Sequence, residues 1–158
     1  MSQTPVPSLY EWAGGENALR ALTRVFYERV HNDELLSPVF AHMDAHHPEY
    51  VAEFLAEILG GPADYSAHRG GHPHMITQHL GKHLNEAQRQ RWVSLLLQSA
   101  DEVGLPDDPE FRSAFVAYIE WGTRLAVINS QPGVHPEIDA PMPKWGWGVP
   151  GGPYQPPD

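Results

Sequence analysis

FLAEILGGPADYSAHRGGHPHMITQH, residues 54–79, is the stretch on which the fold turns. It starts inside an amphipathic helix. Behind Pro48, which suits a first helical position, Val51, Phe54, Leu55, Ile58 and Leu59 keep the i, i+3, i+4, i+7, i+8 spacing of a single apolar face. Gly60-Gly61-Pro62 ends that helix. From Ala63 to Pro73 the composition is Gly, Asp, Ser, His and Arg, which predicts an irregular loop of eleven residues, long enough in a compact domain to be functional. His72, just before Pro73, is expected to be extended. Met75, His79 and His83 then follow at four-residue steps along one face of a short helix.

The same periodicity runs outward on both sides. Leu19, Leu22, Phe26 and Val30 mark a helix over 15–31, and Asp33 to His47 reads as a connection in which Phe40 needs an apolar place to go. Asn85 followed by Gln88 resembles a capping box, opening a helix striped by Trp92, Val93, Leu96, Leu97, Ala100 and Val103 and closing near Gly104. Asp108-Pro109 opens the last one, with Phe111, Phe115, Tyr118, Gly122 and Leu125 inward; Trp121 is assigned to packing. No strand pair or internal repeat emerges. The expected fold class is all-α, in one domain over 9–130 with an N-terminal extension at 1–8. Residues 131–158 hold eight of the sixteen prolines and the Trp145 to Gly148 WGWG, and read as an irregular tail anchored by its two tryptophans.

Composition narrows the chemistry. Ten Lys plus Arg against twenty Asp plus Glu give a net charge of −10, which repels phosphate backbones and anionic lipid, so neither nucleic acid nor membrane is an expected partner. The start, MSQTPVPSLYEW, lacks a basic or apolar leader, and no stretch approaches the roughly 20 apolar residues of a bilayer span, so a soluble cytoplasmic protein is expected. The absence of cysteine leaves histidine, carboxylate or tyrosine to hold any metal.

Five histidines fall between residues 68 and 84. His79 and His83 have the spacing of a zinc-protease helix, but Leu80 stands where the catalytic Glu would be, and a zinc site from His68, His72, His74 and His79 would need a glycine-rich loop to gather them. A pocket enclosed by the helices would place His79 on one wall, Tyr27 on the first helix, His47 at the start of the second and Trp92 on the third. Haem fits that set: imidazole is a normal axial ligand to iron, Phe40, Val51 and Phe54 offer apolar flanks, and polar donors opposite the iron stabilise charge on bound dioxygen.

Here the residues match a known pattern. YEWAGG at 10–15, FYERV at 26–30, Pro38-x-Phe40, FLAEILGGP at 54–62, the Tyr65 to Pro73 loop with its Gly-His-Pro, His79, and Trp92 thirteen residues later resemble group II truncated haemoglobins over about residues 9–130. The resemblance implies a truncated globin, a two-over-two helical sandwich around haem b. It implies His79 as proximal iron ligand, Tyr27 as distal tyrosine, Phe40 as the aromatic against the porphyrin and Trp92 as the distal indole. Val51, Phe54, Met75 and Leu96 are expected haem contacts; Tyr65, Arg69 and Lys82 are the nearest propionate partners in sequence, with His83 also near a propionate. His47, or His46 beside it, departs from the small or hydroxyl residue usual at the distal gate. It either adds a donor over the bound ligand, ligates the iron, or gates the pocket. The implied activity is reversible binding of dioxygen, and of NO, CO or peroxide, extending to NO dioxygenation or peroxide chemistry with an unidentified reductase. The rival readings are an iron-free helical module working through its tail and a non-haem metalloenzyme.

Overall fold

A computed structural model of the protein describes residues 5–137 and 140–148. It contains α1 (Leu9–Ala13), α2 (Gly15–His31), α3 (His47–Ile58), α4 (Asp64–His68), α5 (Gly71–His79), α6 (Glu86–Glu102) and α7 (Pro109–Asn129), and no strand among the described residues. The chain is all-α, as its periodicity requires. Helix α2 packs against α3, α6 packs against α7, and α2 meets α6 to join the two pairs. Leu19, Leu22, Phe26 and Val30 of α2 and Phe111 and Phe115 of α7 are sealed in the common core.

Local chemistry sets the helix ends. The Asn85–Gln88 capping box forms as expected, satisfying N–H groups that a helix start leaves unpaired. Asp108 caps α7 through the Phe111 N–H at 2.9 Å, and its other carboxylate oxygen accepts from Trp12 Nε1 at 2.8 Å, tying α1 to α7. The paired glycines after α3 have a steric reason. A Cβ on Gly61 would lie 2.7 Å from the Tyr10 ring and 2.8 Å from the Ala56 carbonyl oxygen, so α1 approaches α3 only over bare backbone. The Tyr10 N–H donates to the Leu59 carbonyl at 2.9 Å across that approach.

The eleven-residue loop expected over 63–73 is instead α4 and the first turn of α5. Its organiser is Glu57, a buried α3 carboxylate that accepts the Ser66 N–H at 2.8 Å and the Ser66 hydroxyl. That long-range partner fixes a segment whose own composition is turn-like. His72 is therefore helical, not extended, and Pro73 sits in the first turn of α5, where a missing N–H costs nothing. At the other end α5 stops at His79, because Leu80 turns extended with ψ 130°. His83 is consequently not one helical turn beyond His79; it is exposed, has φ +53°, and donates its N–H to the Ser130 carbonyl.

The tail folds back along the helices. The Trp145 N–H donates to the Ile58 carbonyl at 2.8 Å, taking up one of the carbonyls that the end of α3 leaves free. Its indole packs on Tyr118 and Trp121, and Trp147 Nε1 donates to the Pro7 carbonyl at 2.8 Å while meeting Trp12 edge-on. Trp121 is 41% exposed, so its packing is against this tail and not in the core. Residues 149–158 lie outside the described part.

Candidate functional site

The site is built where α2, the 33–46 connection, α3 and α6 meet, with His79 at the end of α5, a helix that packs against α4 and α7. Tyr27 comes from the inner face of α2 and is 3% exposed. His47 comes from the first residue of α3, held by Asp44, whose carboxylate accepts the His46 N–H at 2.7 Å and whose carbonyl accepts the His47 N–H at 3.0 Å. Tyr27 Oη and His47 Nε2 are hydrogen-bonded at 2.9 Å, and their rings meet edge-on at 5.0 Å. Phe40 finds its apolar place against this pair, 5.7 Å from the Tyr27 ring and 6.1 Å from His47. The half-buried Trp92 on α6 reaches the same region through Phe26, which stands edge-on to both Trp92 and Tyr27. A cavity of about 320 Å³ lined by Tyr27, Phe40, Met43, Asp44 and Pro48 lies beside Tyr27, and His47 is half-buried.

His79 ends α5 with its ring held by a hydrogen bond to the Met75 backbone. Burial lowers its pKa, the Met75 contact opposes that, and His47, Lys82 and His72 add to the depression. Burial also lowers the pKa of His47, with Asp44 opposing, and pushes the Tyr27 phenol above its ordinary range. Near neutral pH the site therefore presents two neutral imidazoles and a protonated phenol.

The remaining expected residues divide by what they face. Val51, Met75 and Trp92 are half-buried and keep open surface. Leu96, 1% exposed, is sealed in the core, and Phe54 is buried edge-on against Tyr65 at 5.0 Å. Tyr65 is buried in turn, its hydroxyl pushed up to about 12 chiefly by burial, with Arg69 opposing. Arg69 is engaged with α3: its guanidinium bonds Glu53 at 3.1 Å and lies 4.3 Å from the centre of the Tyr50 ring. Lys82, His68, His74 and His46 are exposed. Sequence reading passed over Asp44 and Glu57, the two carboxylates that set His47 and α4; the only local sign of Asp44 was its place two residues ahead of His46-His47.

Among the described residues no three His, Asp or Glu side chains gather closely enough to hold a bare metal ion, so the zinc-type constellation of His68, His72, His74 and His79 does not form. The donor set suits haem better. It offers one half-buried imidazole with a hydrogen bond to the Met75 backbone, apolar flanks at Phe40, Val51 and Met75, and hydrogen-bonding groups at Tyr27 and His47.

Residues 8–120 match the family model described as bacterial-like globin. The chain is 34% identical over 117 residues to the group 2 truncated hemoglobin YjbI of Bacillus subtilis, covering 74% of this chain and 86% of that one. Among solved structures it superposes on the truncated oxygen-avid haemoglobin of Bacillus subtilis with TM-score 0.68 and 30% identity, covering 77% of this chain and 99% of the other. The group II truncated hemoglobin of Bacillus anthracis gives TM-score 0.71 at 25% identity, over 83% and 98%. The family model covers most of the chain and the curated relative matches over most of its own length, so the chain belongs to the bacterial-like globin family and is a truncated haemoglobin of the group II type.

Proposed function

We propose that the protein holds haem b through His79 and binds dioxygen, and also NO or CO, in the pocket beneath Tyr27, His47 and Trp92. The observation that carries this reading is the Tyr27–His47 hydrogen bond at 2.9 Å with Phe40 against both rings, together with the half-buried imidazole of His79, whose pKa is lowered chiefly by desolvation. Haem, when bound, would supply an iron able to take a diatomic ligand and to change between ferrous and ferric states. His79 would hold it, with its ring oriented by the Met75 backbone, and Phe40, Val51 and Met75 would exclude water from the site.

The tautomer of His47 sets the polarity of the distal pair. With Nε2 protonated, His47 donates to the Tyr27 oxygen and leaves the Tyr27 O–H free to point at the ligand. The two bonds then reinforce one another in a dry pocket. Each hydrogen bond to a charged partner is worth about 1.5–3 kcal/mol, enough to slow ligand release by one to two decades. Such retention suits NO dioxygenation or peroxide chemistry, served by a separate reductase in the cytoplasm, better than oxygen delivery.

Absorption spectra of the purified ferric, ferrous and carbonylated protein test the cofactor assignment. A Soret band whose axial-imidazole signature is lost in His79→Ala is expected. A protein without Soret absorbance even after haem addition would instead support the iron-free interaction module.

A further inference from the structure

The cavity beside Tyr27 is divided from the Tyr27–His47 pair by one side chain. Phe40 lines the cavity and also packs against both rings of the pair, at 5.7 Å and 6.1 Å, while His47 does not line it. A single phenylalanine therefore stands between about 320 Å³ of space open to solvent and the groups that meet a ligand in the reading above.

Phe40 sits on an unevenly tied segment. Upstream, Asp33 Oδ1 accepts the Leu35 and Leu36 N–H groups, each at 3.0 Å, its other oxygen pairs with Arg91 of α6 at 3.6 Å, and Leu36 is 2% exposed. Downstream, Asp44 holds the His46 and His47 N–H groups. Between these two fixed points residues 41–43 make one backbone hydrogen bond among the described residues, from the Met43 N–H to the Phe40 carbonyl at 3.2 Å, and none to a helix. What keeps the turn closed is the packing of Phe40 and Met43 on the core, and a segment with so few hydrogen bonds opens at low cost.

The chemistry of the cavity decides what passes through it. Phe40 and Met43 make its lining apolar, and Ala41 and Ala45 leave room that larger side chains would fill. At its rim Arg24 stands with Glu28 and Asp44, all exposed, so charges of both signs are present and neither sign of ion is drawn in. The net charge of −10 disfavours anions further. An uncharged diatomic molecule suits this lining and a small anion does not.

We propose that this cavity is the antechamber through which the uncharged diatomic ligand reaches the Tyr27–His47 pair, with Phe40 as the residue that admits or refuses it by size. The inference rests on the haem reading and adds to it a route and a specificity-determining residue.

Two measurements on the purified holoprotein test this. Crystals pressurised with xenon, an uncharged apolar probe, show xenon in the cavity of the parent and none there in Ala45→Trp, whose indole fills it. Flash photolysis of the carbonylated protein reads entry itself: Ala45→Trp slows bimolecular rebinding of carbon monoxide by about tenfold, and slows n-butyl isocyanide by a larger factor. The carbon monoxide stretching frequency stays at the parent value, since the Tyr27–His47 pair is untouched. Phe40→Leu shortens the partition and brings the isocyanide rate closer to that of carbon monoxide. Thermal melts establish that the variants fold, and Ala41→Trp replaces Ala45→Trp if the latter does not. The proposal is overturned by equal rebinding rates in the parent and the tryptophan variant, by slowing that comes with a shifted stretching frequency, or by an isocyanide-to-carbon-monoxide ratio that Phe40→Leu leaves unchanged. Failure of the haem reading is distinguishable, because it shows as a missing Soret band before any rate is measured.

Discussion

Removing the Tyr27–His47 contact from either side and then from both should produce a pattern that only a direct, buried hydrogen bond explains. Tyr27 is 3% exposed and His47 is half-buried. In His47→Leu the phenol hydroxyl is stranded without water, at a cost of about 1–3 kcal/mol. In Tyr27→Phe the imidazole loses its partner but, being only half-buried, rehydrates in part, so the cost is smaller, about 1 kcal/mol. The double variant strands nothing. Its loss should fall short of the sum of the single losses by about 1–2 kcal/mol. For a chain of this size each kcal/mol moves the melting temperature by roughly 2–4 °C, so urea and thermal melts resolve the cycle. Stopped-flow dioxygen release supplies the functional arm: Tyr27→Phe should speed release by about ten- to a hundredfold, the equivalent of one charge-assisted bond. Additive stability losses, or a larger loss in Tyr27→Phe than in His47→Leu, would refute the reasoning, because either would mean that the bond at 2.9 Å is not what holds the pair.

Other perturbations probe the frame. Truncation after residue 140 removes Trp145 and Trp147 from Tyr118, Trp121 and Trp12, and should cost about 1–2 kcal/mol per half-buried indole, read as a melting-temperature drop of several degrees; an unchanged melt would show the tail to be unattached. Gly61→Ala drives a methyl into the Tyr10 ring and the Ala56 carbonyl and should destabilise by about 1–3 kcal/mol in urea melts, with no relief from Tyr10→Ala because the backbone clash remains. His47 has a folded-state pKa below its unfolded value of about 6.5, so the unfolded chain takes up the proton first and stability falls as pH drops below that point. The stability gap between parent and His47→Leu should therefore narrow from pH 7.5 toward acid; a gap that widens would contradict the burial of this imidazole.

Helices α2, α3, α6 and α7 were legible because each carries its own apolar stripe and stop signals, and local chemistry is enough to end them: Asn85 and Asp108 at their starts, Gly60-Gly61 behind α3. The segment between α3 and α6 was not, since α4 exists through Glu57, nine residues before Ser66, and no local pattern announces that a glutamate on an apolar helix faces inward. Tyr27, Phe40 and His47 could be placed together from the order of helices alone. Arg69 could not, because its competitor for the guanidinium, Glu53, lies sixteen residues away on a helix face whose orientation toward α4 depends on the turn between them. The sealed position of Leu96 reflects the same limit: an apolar stripe shows which side of a helix is inward, but not which of its leucines meets another helix and which meets a cavity.

The tail bears on the Tyr27–His47 pair through α3. That helix carries His47 at its first residue, while its last residue, Ile58, accepts the Trp145 N–H and the following Leu59 accepts the Tyr10 N–H. Twelve residues at 1.5 Å rise make a rod of about 18 Å, too short to bend appreciably, so fixing one end constrains the other. His47 reaches Tyr27 at hydrogen-bond distance beside Phe40, and Asp44 restrains only the near end of the helix. Anchoring the far end through Tyr10 and Trp145, on top of the α2–α3 packing, leaves α3 little freedom to pivot about Asp44, and that restraint helps a half-buried histidine remain paired with a buried tyrosine.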